Sequence, residues 1–200
     1  MSACWRVALL PVLALVLALA VAAGVWLYLV RDPAEQVGGI GGPFSLQDGA
    51  GHVVTDRDLH GHYLLVYFGY TFCPDVCPTT LTAIAGALDR LGTRADAVQP
   101  VFITVDPERD TPKVVRDYAA AFSPRILALS GTAAEIGKVA GEYRVYYARH
   151  AAPGGGADYT VDHSSIIYLM GTDGRFIVPI PAGETAQEMA DDIARHMEGE

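Results

Sequence analysis

Leu64-Leu65-Val66-Tyr67-Phe68-Gly69-Tyr70-Thr71-Phe72-Cys73-Pro74-Asp75-Val76-Cys77-Pro78 is the stretch that decides how this chain folds. Its first half is short, apolar and rich in β-formers, as a buried strand should be. Its second half carries two prolines of the kind tolerated near a helix start, and an Ala- and Leu-rich segment from Thr79 to Leu91 follows as the first helix. The two thiols, separated by three residues, fall where a strand turns into a helix. There the positive end of the helix dipole lowers thiol pKa and stabilises thiolate as nucleophile or metal ligand. Two chemistries stay open at this point: a redox couple and a soft-metal site.

Downstream of this turn, Val98 to Val105 reads as a second strand, and Thr111-Pro112 opens a helix through about Phe122, with Thr as cap and Pro at the first position. Ile126 to Leu129 is a short strand, and Thr132 to Arg144 has helical spacing. A glycine-rich loop spans Pro153 to Ala157. Ser165 to Met170 and Arg175 to Ile180 form a hairpin around Gly171-Thr172-Asp173-Gly174, and a last helix covers Ala186 to Met197. Upstream, Phe44-Ser45-Leu46 and His52 to Thr55 flank Asp48-Gly49 as an N-terminal β-hairpin. Strand and helix alternate through the first half and a terminal hairpin adds antiparallel strands. That order predicts a thioredoxin-like α/β sandwich.

The chain has 200 residues, 51% of them hydrophobic, but the apolar residues are concentrated at the N-terminus. From Val7 to Val30 no residue is charged, and at ~1.5 Å per residue that run is long enough to cross a hydrocarbon core of ~30 Å. The expected organisation is a cytoplasmic N-terminus at 1–6, a transmembrane anchor at 7–30, a Gly-rich linker at 31–42 and a folded domain at 43–200. A cleaved signal peptide is the competing reading, since Ala18-Leu19-Ala20 resembles a cleavage site. The continuation through Trp26 and Tyr28, suited to a membrane interface, favours retention. All 23 acidic residues but only 12 of the 14 basic ones lie beyond Arg31, so the exported part carries a net charge of −11. Such a surface argues against nucleic acid as partner. The exported part contains only Cys73 and Cys77, which excludes a disulfide scaffold.

A soft cation gripped by two thiolates asks for a third ligand, and Cu(I) prefers thiolate whereas Zn normally takes four ligands. Of the six histidines, His163 stands apart, because Asp162-His163-Ser164 directly precedes an apolar strand from which a loop could lean over the cysteine turn. Its alternative is a hydrogen-bonded loop histidine. Asp162 is a candidate to orient His163 or a plain turn residue; Asp75, between the cysteines, caps the helix or tunes the thiols. Asp106, Arg109 and Asp110 follow the second strand, where Asp110 or Thr111 is expected to cap the next helix and a docking role is the alternative.

Tyr67 to Pro78, then Thr104-Val105-Asp106-Pro107-Glu108-Arg109-Asp110-Thr111-Pro112, then Asp162-His163-Ser164, resemble the Sco/SenC family of membrane-anchored copper proteins from about Pro43 to the C-terminus. The resemblance implies that Cys73, Cys77 and His163 are the ligands of one copper ion per domain, Cu(I), Cu(II) or both. It implies a metallochaperone that delivers copper to the CuA centre of cytochrome c oxidase subunit II, or to another cuproprotein. Some family members are assigned thiol-disulfide roles instead, so a second expectation is an oxidoreductase, with Cys73 and Cys77 as redox pair, that keeps cuproprotein cysteines reduced. A thioredoxin-like reductant and an upstream periplasmic copper carrier are the further expected partners. The expected location is the bacterial inner membrane with the domain in the periplasm, the mitochondrial inner membrane being the alternative.

Overall fold

The computed structural model describes residues 16–19, 21–22, 39–151 and 159–198. The anchor expected at 7–30 falls largely outside them, as do most of the linker and the glycine-rich loop. Residues 16–19 and 21–22 are helical, and among the described residues no helix is long and apolar enough to cross a membrane. The compact unit that carries the cysteines begins at Gly39.

Its frame is a five-stranded sheet. Strand β3 (Tyr63–Gly69) lies at the centre, with β4 (Val98–Thr104) and then β5 (Leu127–Leu129) parallel on one side. Strands β8 (Ile166–Met170) and β9 (Phe176–Pro181) complete the other side in antiparallel sense. The central place explains the sequence of β3, every residue of which is buried. Successive side chains alternate between two cores. Tyr63, Leu65 and Tyr67 pack against helices α1 (Val76–Leu91), α2 (Pro112–Ala120) and α4 (Ala186–Met197), through Leu81, Ile84, Val115, Met189 and Ile193. Leu64, Val66 and Phe68 face the other way, onto α3 (Ala133–Glu142) and the N-terminal hairpin of β1 (Ser45–Gln47) and β2 (Val53–Thr55). This is the thioredoxin-like α/β sandwich with an N-terminal β-hairpin that the element order predicts.

Helix ends follow local chemistry. The Thr111 hydroxyl accepts from the Val114 amide, with Pro112 at the first helical position, while Thr132 with Glu135 and Thr185 with Glu188 form reciprocal capping boxes. Two elements differ from expectation. Helix α1 begins at Val76 rather than Thr79, so Cys77 is its second residue and Cys73 lies in the turn before it. The segment between α3 and β8 is not only loop: β6 (Tyr147–Ala151) and β7 (Tyr159–His163) pair antiparallel as a separate two-stranded sheet. His163 is the last residue of β7, opposite Tyr147.

Candidate metal centre

The strand-to-helix turn is tight: the Cys73 amide donates to the Tyr70 carbonyl, 3.3 Å away. The turn brings the Cys73 sulfur over the start of α1, where it accepts the Cys77 amide at 3.4 Å. A sulfur thus takes up one of the unpaired N–H groups of the first helical turn, a role usually given to a capping oxygen. Asp75 is the N-cap residue, yet its side chain makes no capping hydrogen bond. Cys73 is half-buried and Cys77 fully buried; both are free thiols.

From the other side, the β6–β7 hairpin delivers His163. Its Nε2 lies 3.3 Å from the Cys77 sulfur, and its ring stands edge-on against Tyr67 and Tyr70. Nδ1 faces the carbonyl oxygen of Ser164 at 3.1 Å. A carbonyl can only accept, so Nδ1 donates to it, and Nε2 is the ring nitrogen turned toward the sulfurs. The contact expected from Asp162 is not what orients the ring: the Asp162 carboxylate is exposed and pairs with His150 at 3.0 Å. His52 pairs with Asp48, and His196 meets the Asp192 carbonyl. Among the described residues, the ligand atoms of Cys73, Cys77 and His163 form the one group of three or more such donors, all within 4.8 Å of one another.

The electrostatics of the two thiols are opposed. Hydrogen bonding from Cys77 is the largest influence on Cys73, and with His163 and the backbone amides of Asp75 and Cys77 it outweighs partial burial, holding the Cys73 thiol down at about 3. Cys77, which gives that hydrogen bond and is buried, is pushed up. The pair therefore loses its first proton from half-buried Cys73 and holds the second on buried Cys77. The Tyr67 hydroxyl donates to the Cys77 sulfur at 3.6 Å, and burial raises its own pKa.

Gly69, at the end of β3, makes room for this arrangement. A β-carbon there would lie 2.7 Å from the Cys77 sulfur and 2.9 Å from the Phe102 ring. The sequence reading missed Gly69, as it missed Tyr67 and Tyr70, because all three sit inside a strand whose pattern signals only burial.

Two buried carboxylates brace the site. Asp110, one of the two residues expected to cap the next helix, is wholly buried: it accepts from the Thr71 amide (2.9 Å), the Thr71 hydroxyl (2.5 Å) and the Thr104 hydroxyl (2.7 Å), which ties the cysteine turn to β4. The cap is Thr111. Asp106, also wholly buried, is bonded to Arg109 Nε (2.5 Å), the Tyr159 hydroxyl (2.6 Å) and Arg149 (3.2 Å).

Two thiols and one imidazole nitrogen suit a soft, three-coordinate ion, which is Cu(I) chemistry; the same nitrogen and thiolate set accepts Cu(II). Structural zinc would ask for a fourth ligand, and among the described residues none joins the group.

Comparison with known proteins follows the same lines. The family model described as SCO1/SenC matches residues 32–198. The human protein named "Protein SCO1 homolog, mitochondrial" is 43% identical over 163 residues, 79% of this chain and 53% of its own length, so the chain spans about half of that relative. The structure of Bradyrhizobium japonicum ScoI with copper bound is 49% identical with a TM-score of 0.72, covering 78% of this chain and 99% of the other. BsSco, described with a disulfide switch and as a member of the Sco family of cytochrome c oxidase assembly proteins, is 26% identical with a TM-score of 0.60, over 78% of this chain and 92% of its own.

Proposed function

Because the chain belongs to the SCO1/SenC family, we propose that it is a membrane-anchored metallochaperone that carries one copper ion on Cys73, Cys77 and His163 and delivers it to the CuA centre of cytochrome c oxidase subunit II. The observation that carries this reading is the convergence of those three donor atoms within 4.8 Å. A relative with copper bound and another described among oxidase assembly proteins support the cargo and the recipient pathway. Residues 7–30 supply the anchor on the strength of their uncharged composition. With that anchor the domain lies on the periplasmic side of a bacterial inner membrane, and the word mitochondrial in the human relative's name supports the mitochondrial inner membrane as the alternative.

Each residue has a task in this chemistry. Cys73, whose thiol is held down, is the first to offer a thiolate to a cation, and Cys77, whose thiol is pushed up, gives up its proton only as the second sulfur binds. His163 presents Nε2 toward the sulfurs while Nδ1 is hydrogen-bonded to the Ser164 carbonyl. Oxidation of Cys73 and Cys77 to a disulfide consumes both sulfur donors; redox state thus gates loading, and a thioredoxin-like reductant is required upstream.

One observation favours a second reading. A half-buried Cys73, whose sulfur accepts the Cys77 amide, beside a fully buried Cys77 is the asymmetry of an attacking and a resolving cysteine, which fits a thiol-disulfide oxidoreductase. Anaerobic titration of the reduced full-length protein with Cu(I), against a chelator of known affinity, separates the two. One tight equivalent, lost on oxidation and weakened more than about tenfold by His163→Ala, is the expected result. Weak binding indifferent to His163 leaves the oxidoreductase.

A further inference from the structure

The hairpin that carries His163 stands outside the five-stranded sheet: among the described residues β6 and β7 form a two-stranded sheet with each other. A two-stranded ribbon is marginal by itself, so its placement over the cysteine turn needs anchors from outside. Tyr159, Val161 and His163 alternate onto one face of β7. Val161 is buried and its amide donates to the Tyr70 hydroxyl at 3.4 Å. Tyr159, at the other end of the strand from His163, is gripped by a cation.

That cation is Arg109. Its guanidinium lies 3.7 Å from the centre of the Tyr159 ring and donates from Nη1 to the Tyr159 carbonyl at 3.0 Å. The same guanidinium stands 4.7 Å from the ring of Phe72, the residue before Cys73, and 5.8 Å from that of Tyr70. One side chain therefore touches both lobes of the copper site. Asp106 fixes it through the 2.5 Å bond to Nε and binds the Tyr159 hydroxyl with its other oxygen. Stability alone does not explain such a group. Buried ion pairs barely recover their desolvation cost, and Arg109 Nη2 is buried with no partner among the described residues.

We propose that Arg109, held by Asp106, is a positioning residue of the copper site: it clamps the hairpin to the cysteine turn so that His163 meets the two sulfurs. This rests on the copper reading above, and the effect that separates it from general destabilisation is on where His163 stands relative to the sulfurs. The test is a double-mutant cycle on the full-length protein, with Cu(I) affinity measured by chelator competition and the Cu(II)–thiolate visible spectrum as second readout. Arg109→Met and Asp106→Asn each weaken Cu(I) binding about tenfold, the scale of residues that orient a ligand, and shift the Cu(II) spectrum toward that of His163→Ala. Added to His163→Ala, either change costs less than about twofold more, because the ligand it positions is already gone.

Tyr159→Phe, which removes a single hydroxyl, covers the case in which the charge variants fail to fold; about threefold weakening, again absent without His163, is expected. Equal losses with and without His163, or no loss at all, overturn the clamp while leaving the copper site standing. A parent protein that binds Cu(I) equally well without His163 overturns both.

Discussion

Replacing Gly69 by alanine sets a methyl carbon against the Cys77 sulfur and the Phe102 ring, both closer than 3 Å and both buried. We expect a loss of about 1–3 kcal/mol, as for overpacking elsewhere, seen in chemical denaturation, together with weaker Cu(I) binding as the sulfur shifts. The cysteines make a second prediction. Cys73, acidified to about 3 against an ordinary value near 9, should be alkylated at a nearly level rate between about pH 5 and pH 8, where an unperturbed thiol accelerates about tenfold per unit. The two thiols pull native stability in opposite directions. The contribution of Cys73 is fullest above the unfolded thiol value and is lost as pH falls toward 3; that of Cys77 is fullest below that value and is lost at higher pH. Cys73, Cys77 and His163 were legible in the sequence because their side chains carry the chemistry. Gly69 was not, since what it supplies is empty space, and Asp162 misled because adjacency along a strand puts it on the face opposite His163.

At the scale of elements, the strand-to-helix turn depends on a carboxylate supplied from 39 residues away in sequence. Asp110→Ala leaves the Thr71 amide and the hydroxyls of Thr71 and Thr104 without their acceptor. The expected cost is about 3 kcal/mol by thermal or chemical denaturation, with the cysteine turn the first region to lose hydrogen-exchange protection. Strand β3 was readable because burial on both faces leaves a continuous apolar run. The β6–β7 hairpin was not, because, of the residues in Tyr147–Ala151 and Tyr159–His163, only Val161 is buried, which leaves little apolar periodicity. A ribbon outside the main sheet takes its position from tertiary contacts that no local pattern records.

For the whole molecule, the compact unit starting at Gly39 contains the sheet, both cores and all three sulfur and nitrogen donors. Removing residues 1–38 should release the protein from membrane to soluble fraction while Cu(I) affinity and melting temperature stay those of the full chain; a drop in either would assign the N-terminal segment a part in the fold. The donors differ in depth. Cys77 lies at the floor, beneath Tyr67 and beside Gly69, while Cys73 looks outward next to the exposed Phe72 ring. On the proposed copper reading, handover would have a direction: a recipient thiol would meet the ion from the half-buried Cys73 side, and buried Cys77 would be the last to let go. A cargo held this way would leave by the side on which its holder is thinnest.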